Sequence, residues 1–430
     1  MYEVKPSLVY VTDRAERDPR AVGRMAAMLP ALGDPRIERI TDADIPSVIA
    51  AHALGSLRER TEQIERDADP VLVLNALKLN DSAQDEENEL SEILAQCPEH
   101  TPKKLVRRLL GYDSLSSPNS HIRDEELVCR NVHEFHTTDG CVHRCQYCEA
   151  AGEPIVNMAL NIEEFIEKKL DPLLRANPWQ KVCRYQTQAA DSLCFEPEYG
   201  AIAKFAEYFA GQDDRYLLLH TKSANTDFIC DLDHNGRTIV LWSLTSDTVS
   251  RVIEQRTGTT AERIEAARRC EQAGCPVRFK FKPIIPVRDW RDETREMVRH
   301  MFAATHPDVI SLCTIMWMPI EELEAAIEPK LFDQQFLKAA REDAEKMAGS
   351  RAGPFPHRVR AEIYDFFIRE IRRYDETVPV SLSTESFEMW AEFEDILGFG
   401  AGNYVCGCGP ECTPGLKVLP HNVLRQRREA

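Results

Sequence analysis

At 430 residues, with 43% hydrophobic and 29% charged residues, the chain has room for one large domain with additions or for two to three smaller ones, with a sizeable buried core. A formal net charge of −18 excludes a large non-specific grip on nucleic acid, which rests on neutralising phosphates with Lys and Arg. No apolar run approaches the ~20 residues that span a bilayer and the opening Met1-Tyr2-Glu3-Val4-Lys5 lacks the apolar stretch of a signal peptide, so a cytoplasmic protein with no membrane partner is expected, its fourteen cysteines reduced or metal-bound rather than paired as disulfides.

Ser7–Val11 reads as a strand, Arg20–Leu29 as a helix and Val71–Leu74 as another strand, which together predict a small N-terminal α/β region. Residues 80–124 differ in character. Asp85–Glu89 is an acidic run, read as a solvated helix face. Lys103–Leu110 is amphipathic and reads as a surface helix with a basic face in preference to a nucleic-acid contact. Ser114–Ser120, rich in Ser, Pro and Asn, reads as a linker.

From about Val128 the pattern becomes strand, loop, helix, repeated. The first strand is expected near Arg130–His136. Asn161–Glu164 reads as a capping box opening a helix. Val182–Gln188 is the second strand and Ile202–Phe209 its helix. Tyr216–Thr221 and Thr238–Ser243 are continuously apolar, as strands buried on both faces are. Thr259–Glu262 is a second capping box, with its helix ending at Gly274. Val277–Ile285 and Val309–Met316 follow as strands, Phe336–Met347 and Val359–Tyr374 as helices, and Val378–Ser383 as a last strand. Strands alternating with helices imply a parallel sheet, since parallel neighbours need a crossover. The predicted fold is α/β: a small N-terminal α/β region with an acidic and linker insertion (1–127), a partial (β/α)6-type barrel (128–397) and a Cys-rich C-terminal tail (398–430). Sites in such barrels lie at the C-terminal ends of the strands.

The loop after the first strand carries Cys141, Cys145 and Cys148, spaced C-x3-C-x2-C. Thiolates are soft ligands for iron–sulfur clusters and for zinc. Three on one loop can hold three corners of a 4Fe–4S cube, leaving one iron without a protein ligand. Structural zinc wants four ligands, usually as two pairs. No second C-x2-C pair follows at zinc-ribbon distance, and His143 sits between two of the cysteines, a cramped place for a fourth ligand.

In the fifth strand Val277, Phe279 and Phe281 alternate with Arg278, Lys280 and Lys282. Successive side chains point to opposite faces. The phenylalanines suit the helix layer, so the three cations are expected to line the interior and to meet an anionic ligand. The tail gathers Cys406, Cys408 and Cys412 among glycines. A second iron–sulfur cluster or metal, a redox pair and a hydrogen-atom-donating thiol are the three readings of that stretch.

These residues resemble the spore photoproduct lyase-like family of radical S-adenosylmethionine (SAM) enzymes. The resemblance runs from Leu8-Val9-Tyr10 through Gly140–Cys148. It is strongest at Thr221-Lys222-Ser223, Asp233–Thr238 and Trp242-Ser243-Leu244, and continues through Arg263, Gly274 and Pro283-Ile284. It implies that Cys141, Cys145 and Cys148 bind a 4Fe–4S cluster, that Lys222 and Ser243 contact SAM, and that Tyr147 takes part in SAM packing and radical relay. It further implies reductive cleavage of SAM to a 5′-deoxyadenosyl radical that takes a hydrogen atom from the substrate, with ferredoxin or flavodoxin as reductant. The chain departs from the family where Glu149 replaces a tyrosine, where Gln188 stands in place of a hydrogen-donating cysteine, and where Lys282 replaces a small residue. These departures bear on the substrate and not on the cluster. An anionic small molecule or nucleotide-type substrate is expected. A true DNA photoproduct (thymine dimer) lyase with a C-terminal cysteine as hydrogen donor is the less favoured reading, and a non-catalytic iron–sulfur electron carrier or regulator is the other alternative.

Overall fold

The apolar runs Tyr216–Thr221 and Thr238–Ser243 lie side by side, in parallel, in the middle of a seven-stranded sheet. This computed structural model describes residues 4–33, 35–52, 54, 69–79, 82–112, 127–129, 132–148, 155–186 and 190–424. The strand order is Val380–Leu382, Val309–Thr314, Val277–Ile284, Thr238–Ser243, Tyr216–Thr221, Val182–Tyr185 and Glu134–Phe135. Every pairing is parallel. The two edge strands are not paired with each other, so the sheet is open and does not close into a barrel among the described residues. The first strand is shorter than expected, Glu134–Phe135, and the linker reading at Ser114–Ser120 lies outside the described residues, as do Glu149 and Gln188.

Helices cover one face of the sheet. Phe279 packs near Trp242 and Phe281 near Phe367 of the His357–Arg372 helix, ring centroids 6.4 and 5.3 Å apart, which places the phenylalanine face of the fifth strand in the helix layer. The Thr259 capping box forms, with the Thr259 side chain accepting from the Glu262 N–H and Glu262 accepting from the Thr259 N–H. The Asn161 box does not. Asn161 spends its carboxamide oxygen on the Leu77 N–H at 2.8 Å and its amide on the Leu77 carbonyl at 3.1 Å, tying the helix start to an N-terminal segment instead.

A second sheet has the order Arg36–Ile40, Leu8–Thr12, Val71–Asn75, Ile155–Ala159, Thr138–Asp139. Ile155–Ala159, buried throughout and not foreseen, pairs in parallel with Val71–Asn75. The two strands that flank the cysteine loop are thus fixed in this sheet. Next to it, the acidic helix Ala83–Leu94 pairs with the basic helix Lys103–Leu109. Lys103 meets Glu87 at 2.6 Å and Arg107 meets Glu86, while Arg108 meets Asp139 at 3.2 Å. The basic face is matched within the protein, in line with the surface-helix reading. No described helix is long and apolar enough to cross a membrane.

The tail seals the sheet at the N-terminal ends of its strands. The Lys181 and Val182 N–H groups donate to the Pro410 carbonyl at 2.7 and 2.9 Å, and the Gly407 N–H donates to Ser311 Oγ at 2.9 Å. Cys408 packs with Val182, Leu218, Ile239 and Leu241. The opposite, C-terminal ends of the strands are left to form a cavity.

Candidate active site

The cysteine loop is shaped by close backbone contact. Gly140 has φ +102°, and a Cβ there would sit 2.8 Å from both the Ile155 carbonyl oxygen and Val156 Cγ2, so only glycine fits before Cys141. Arg144–Cys145 then pairs antiparallel with Glu254–Gln255, the Gln146 N–H donates to the Ile253 carbonyl at 3.0 Å, and the Cys148 N–H turns back to the Cys145 carbonyl at 3.0 Å. This leaves Cys141, Cys145 and Cys148 on one wall of a cavity of about 560 Å³. Tyr147, Lys222 and Ser243 line the same cavity, so all six site residues expected from the sequence are brought together from three chain segments.

Glu254 organises the wall behind the loop. It is fully buried and accepts from Lys222 Nζ at 3.0 Å, Arg263 at 2.7 Å, Thr245 Oγ1 at 3.0 Å and the Tyr147 hydroxyl. Burial pushes its pKa up, but Lys222 and Arg263 outweigh that and hold it at about 2, so the carboxylate stays charged. Lys222 Nζ also donates to the Lys282 carbonyl at 3.3 Å and stands 5.8 Å from the centre of the Tyr147 ring. Burial, followed by the Glu254 charge, raises the Tyr147 pKa well above the ordinary phenol value, which keeps its proton on.

Ser243 Oγ is 2.9 Å from His220 Nε2. Burial lowers the His220 pKa well below the usual value and the cations Lys280, Arg184 and Lys222 lower it further, so its imidazole is neutral. His143 lines the same cavity and reaches Asp191 and Cys194. Its Nε2 lies 3.3 Å from Asp191 Oδ2 and 3.6 Å from Cys194 Sγ, and these three ligand-type groups sit within 4.8 Å of one another. Asp191 already accepts from the Leu193 and Lys222 N–H groups and from Thr221 Oγ1. Burial opposes its charge, but His143 and those backbone bonds prevail and hold it at about 2. It acts as a post between loop and strand end. Cys194 hydrogen-bonds to Cys141, the main cause that brings the Cys141 thiol down to about 7, while burial pushes Cys145 up.

The fifth strand divides its cations differently from the sequence reading. Lys280 and Lys282 line the cavity, but Arg278 does not. Arg278 is fully buried, pairs with Asp308 at 2.7 Å, and donates to the Gly407 and Cys412 carbonyls at 2.9 and 2.6 Å. It lies near the start of the strand, where the tail packs, and is an anchor for the tail rather than a ligand contact. Glu254, Asp191, Cys194, His220 and Arg184 were missed in the sequence. Only His220 carried a signal, lying near the end of the expected strand Tyr216–Thr221.

Residues 133–315 match the family model for spore photoproduct lyase. The spore photoproduct lyase of Bacillus subtilis (strain 168) is 26% identical over 209 residues, 47% of this chain and 57% of the relative. That of Clostridium acetobutylicum (strain ATCC 824) is 24% identical over 165 residues, 37% of this chain and 48% of the relative. The chain thus spans about half the length of the curated relatives it matches. Among solved structures, spore photoproduct lyase complexed with dinucleoside spore photoproduct superposes with a TM-score of 0.59 at 15% identity, covering 88% of this chain and 98% of that one. A mutant of that enzyme with bound AdoMet and dinucleoside spore photoproduct gives 0.57 at 15%, covering 89% and 100%. The resemblance to this family read from the residues therefore holds, and the mixed α/β fold is shared with its solved members.

Proposed function

We propose that this relative of the spore photoproduct lyases is a radical SAM enzyme acting on an anionic substrate. The observation that supports it most is the convergence of three thiols from one eight-residue loop with Lys222 and Ser243 from distant strand ends on one cavity. Cys141, Cys145 and Cys148 would hold a 4Fe–4S cluster, and all three thiols open on a cavity wide enough for a further ligand. With SAM bound, such a cluster would supply the electron that splits SAM into methionine and a 5′-deoxyadenosyl radical able to take a hydrogen atom from the substrate. The chain's own part is to position and to shield. Glu254 fixes Lys222 and Tyr147 beside the loop, Ser243 and His220 present a hydroxyl and a neutral imidazole, and the open parallel sheet is read as a partial (β/α)6-type barrel whose site lies at the C-terminal ends of its strands. The division into 1–127, 128–397 and 398–430 is proposed with it, as are a ferredoxin or flavodoxin reductant and a cytoplasmic setting.

No second cluster is proposed at the tail. Gly409 packs directly on two of the tail sulfurs, since a Cβ on it would lie 2.5 Å from Cys412 Sγ and 2.9 Å from Cys406 Sγ. All three thiols are buried, Cys408 against Val182, Leu218, Ile239 and Leu241, and we read them as packing groups of the tail. Anaerobic reconstitution followed by iron and sulfide quantification should therefore give about four of each per chain, the content of one cube. Replacing Cys406, Cys408 and Cys412 with Ser should leave that number unchanged. About eight irons in the wild type, halved in the tail variant, would overturn the single-cluster reading.

A further inference from the structure

Four cations line the cavity, and two of them already have carboxylates. Arg184 pairs with Glu134, and Lys222 with Glu254. Just below the cavity, Arg278 has Asp308. Lys280 and Lys282 have no carboxylate partner among the described residues, although both line the cavity. Lys280 is only 4% exposed, and the polar group bonded to its Nζ is the Cys408 thiol at 3.8 Å. Lys282 is half-buried. An ammonium taken out of water without a counter-charge costs several kcal/mol. Two adjacent ones in a single cavity favour an anion between them.

The thiol below does not bring it. A hydrogen bond with Cys406, aided by burial, pushes Cys408 up to about 12, so it is neutral at physiological pH. Nor do the neighbouring carboxylates. Glu254 is saturated by Lys222, Arg263, Thr245 and Tyr147, and Asp191 by His143, Thr221 and two backbone N–H groups. Burial, with the Lys280 charge beside it, lowers the Lys282 pKa, a penalty that the negative charge of a ligand would relieve.

We infer that Lys280 and Lys282 form an oxyanion subsite on the inner wall of the cavity, taking a doubly charged phosphate monoester group of the substrate. Two ammonium groups match the two charges of a phosphate monoester. A carboxylate would neutralise only one of them. The subsite rests on the proposed function only in taking the cavity to be the SAM site. In that frame the substrate's phosphate is held by the fifth strand, and SAM by the loop, Lys222 and Ser243.

The test is calorimetric titration of the anaerobically reconstituted full chain, saturated with SAM, using three probes: ribose 5-phosphate, ribose and acetate. Ribose 5-phosphate should bind at one site per chain. Ribose and acetate should bind at least about tenfold more weakly, as expected when charge-assisted hydrogen bonds are lost. Lys280→Met and Lys282→Met should each weaken ribose 5-phosphate by about tenfold to a hundredfold, and Lys282→Arg should restore most of the affinity. Lys280 is the more deeply buried, so if its variant fails to fold, the half-buried Lys282 variants decide the matter. Wild-type affinity in Lys282→Met, acetate binding as tightly as ribose 5-phosphate, or displacement of SAM by ribose 5-phosphate would each overturn the inference; the last would assign the lysines to the SAM carboxylate. SAM cleavage by the wild type without phosphate binding sinks this inference alone. Phosphate binding without SAM cleavage sinks the proposed reaction alone.

Discussion

Glu254→Ala should lower the stability of the apo protein by about 3–5 kcal/mol, the cost of breaking a buried ion pair and leaving the partner charge behind. The partner is Arg263, which is fully buried and would keep only neutral acceptors, the carbonyls of Gly258 and Ser243 and the hydroxyls of Thr245 and Thr257. Lys222 and Tyr147 would lose their common acceptor as well. Because Cys145 pairs with Glu254 along the backbone, the damage should reach the cysteine loop and reduce iron retained after reconstitution. The pH dependence has a definite sign. The carboxyl is held at about 2 in the folded protein against an ordinary 4.5, so its contribution is complete above about pH 4.5 and is lost as pH falls towards 2. Glu254→Gln should therefore flatten stability against pH in that window. Chemical denaturation from pH 2 to 7, with iron counts on the reconstituted protein, checks each part. A Glu254→Ala protein that unfolds at the wild-type denaturant concentration would refute the role given to this residue.

Arg278→Met should detach the tail. The guanidinium joins Asp308 to the carbonyls of Gly407 and Cys412, and its removal leaves two buried acceptors and a largely buried carboxylate with fewer donors. A loss of about 3–5 kcal/mol is expected on the same grounds. Stability alone would not distinguish this from any core defect, so the decisive reading is thiol accessibility. Cys406, Cys408 and Cys412 are buried and should react slowly with a thiol reagent in the wild type. In Arg278→Met they should become the fastest-reacting cysteines, identified by mass spectrometry. Asp308→Asn, which spares the guanidinium's bonds to the tail, should have a smaller effect on labelling. Equal labelling of wild type and Arg278→Met would mean that other contacts hold the tail, such as Pro410 to Lys181 and Val182.

What the sequence disclosed follows the range of the interactions involved. Tyr216–Thr221 and Thr238–Ser243 were legible to the residue, because a central parallel strand buried on both faces leaves a continuous apolar run. The cysteine loop was legible because its chemistry is local in the chain. The 103–109 helix was placed correctly, but its basic face found its acidic partner only in the tertiary structure. Strand alternation put Arg278, Lys280 and Lys282 on one face, yet it carries no information on depth along the strand. Arg278 fell near the tail end and the two lysines at the cavity. Ile155–Ala159 escaped because it pairs with Val71–Asn75, more than eighty residues earlier in the chain. The helix Trp290–Ala304 was not picked out, although Trp290, Thr294, Met297, Val298 and Met301 mark its buried face at helical spacing. Glu254 was invisible for a different reason. A carboxylate that collects four partners from four places looks, in the sequence, like any other surface glutamate.

Cleavage of SAM at the loop thiols is tested most directly by the release of 5′-deoxyadenosine. Reconstituted wild-type protein and a Cys141→Ala/Cys145→Ala/Cys148→Ala variant would be incubated anaerobically with SAM and dithionite, and the nucleoside quantified by chromatography. Wild type should release 5′-deoxyadenosine and methionine in equal amounts, and the triple variant neither. Release by the triple variant at the wild-type rate, or none from a wild type carrying its full complement of iron, would contradict the claim.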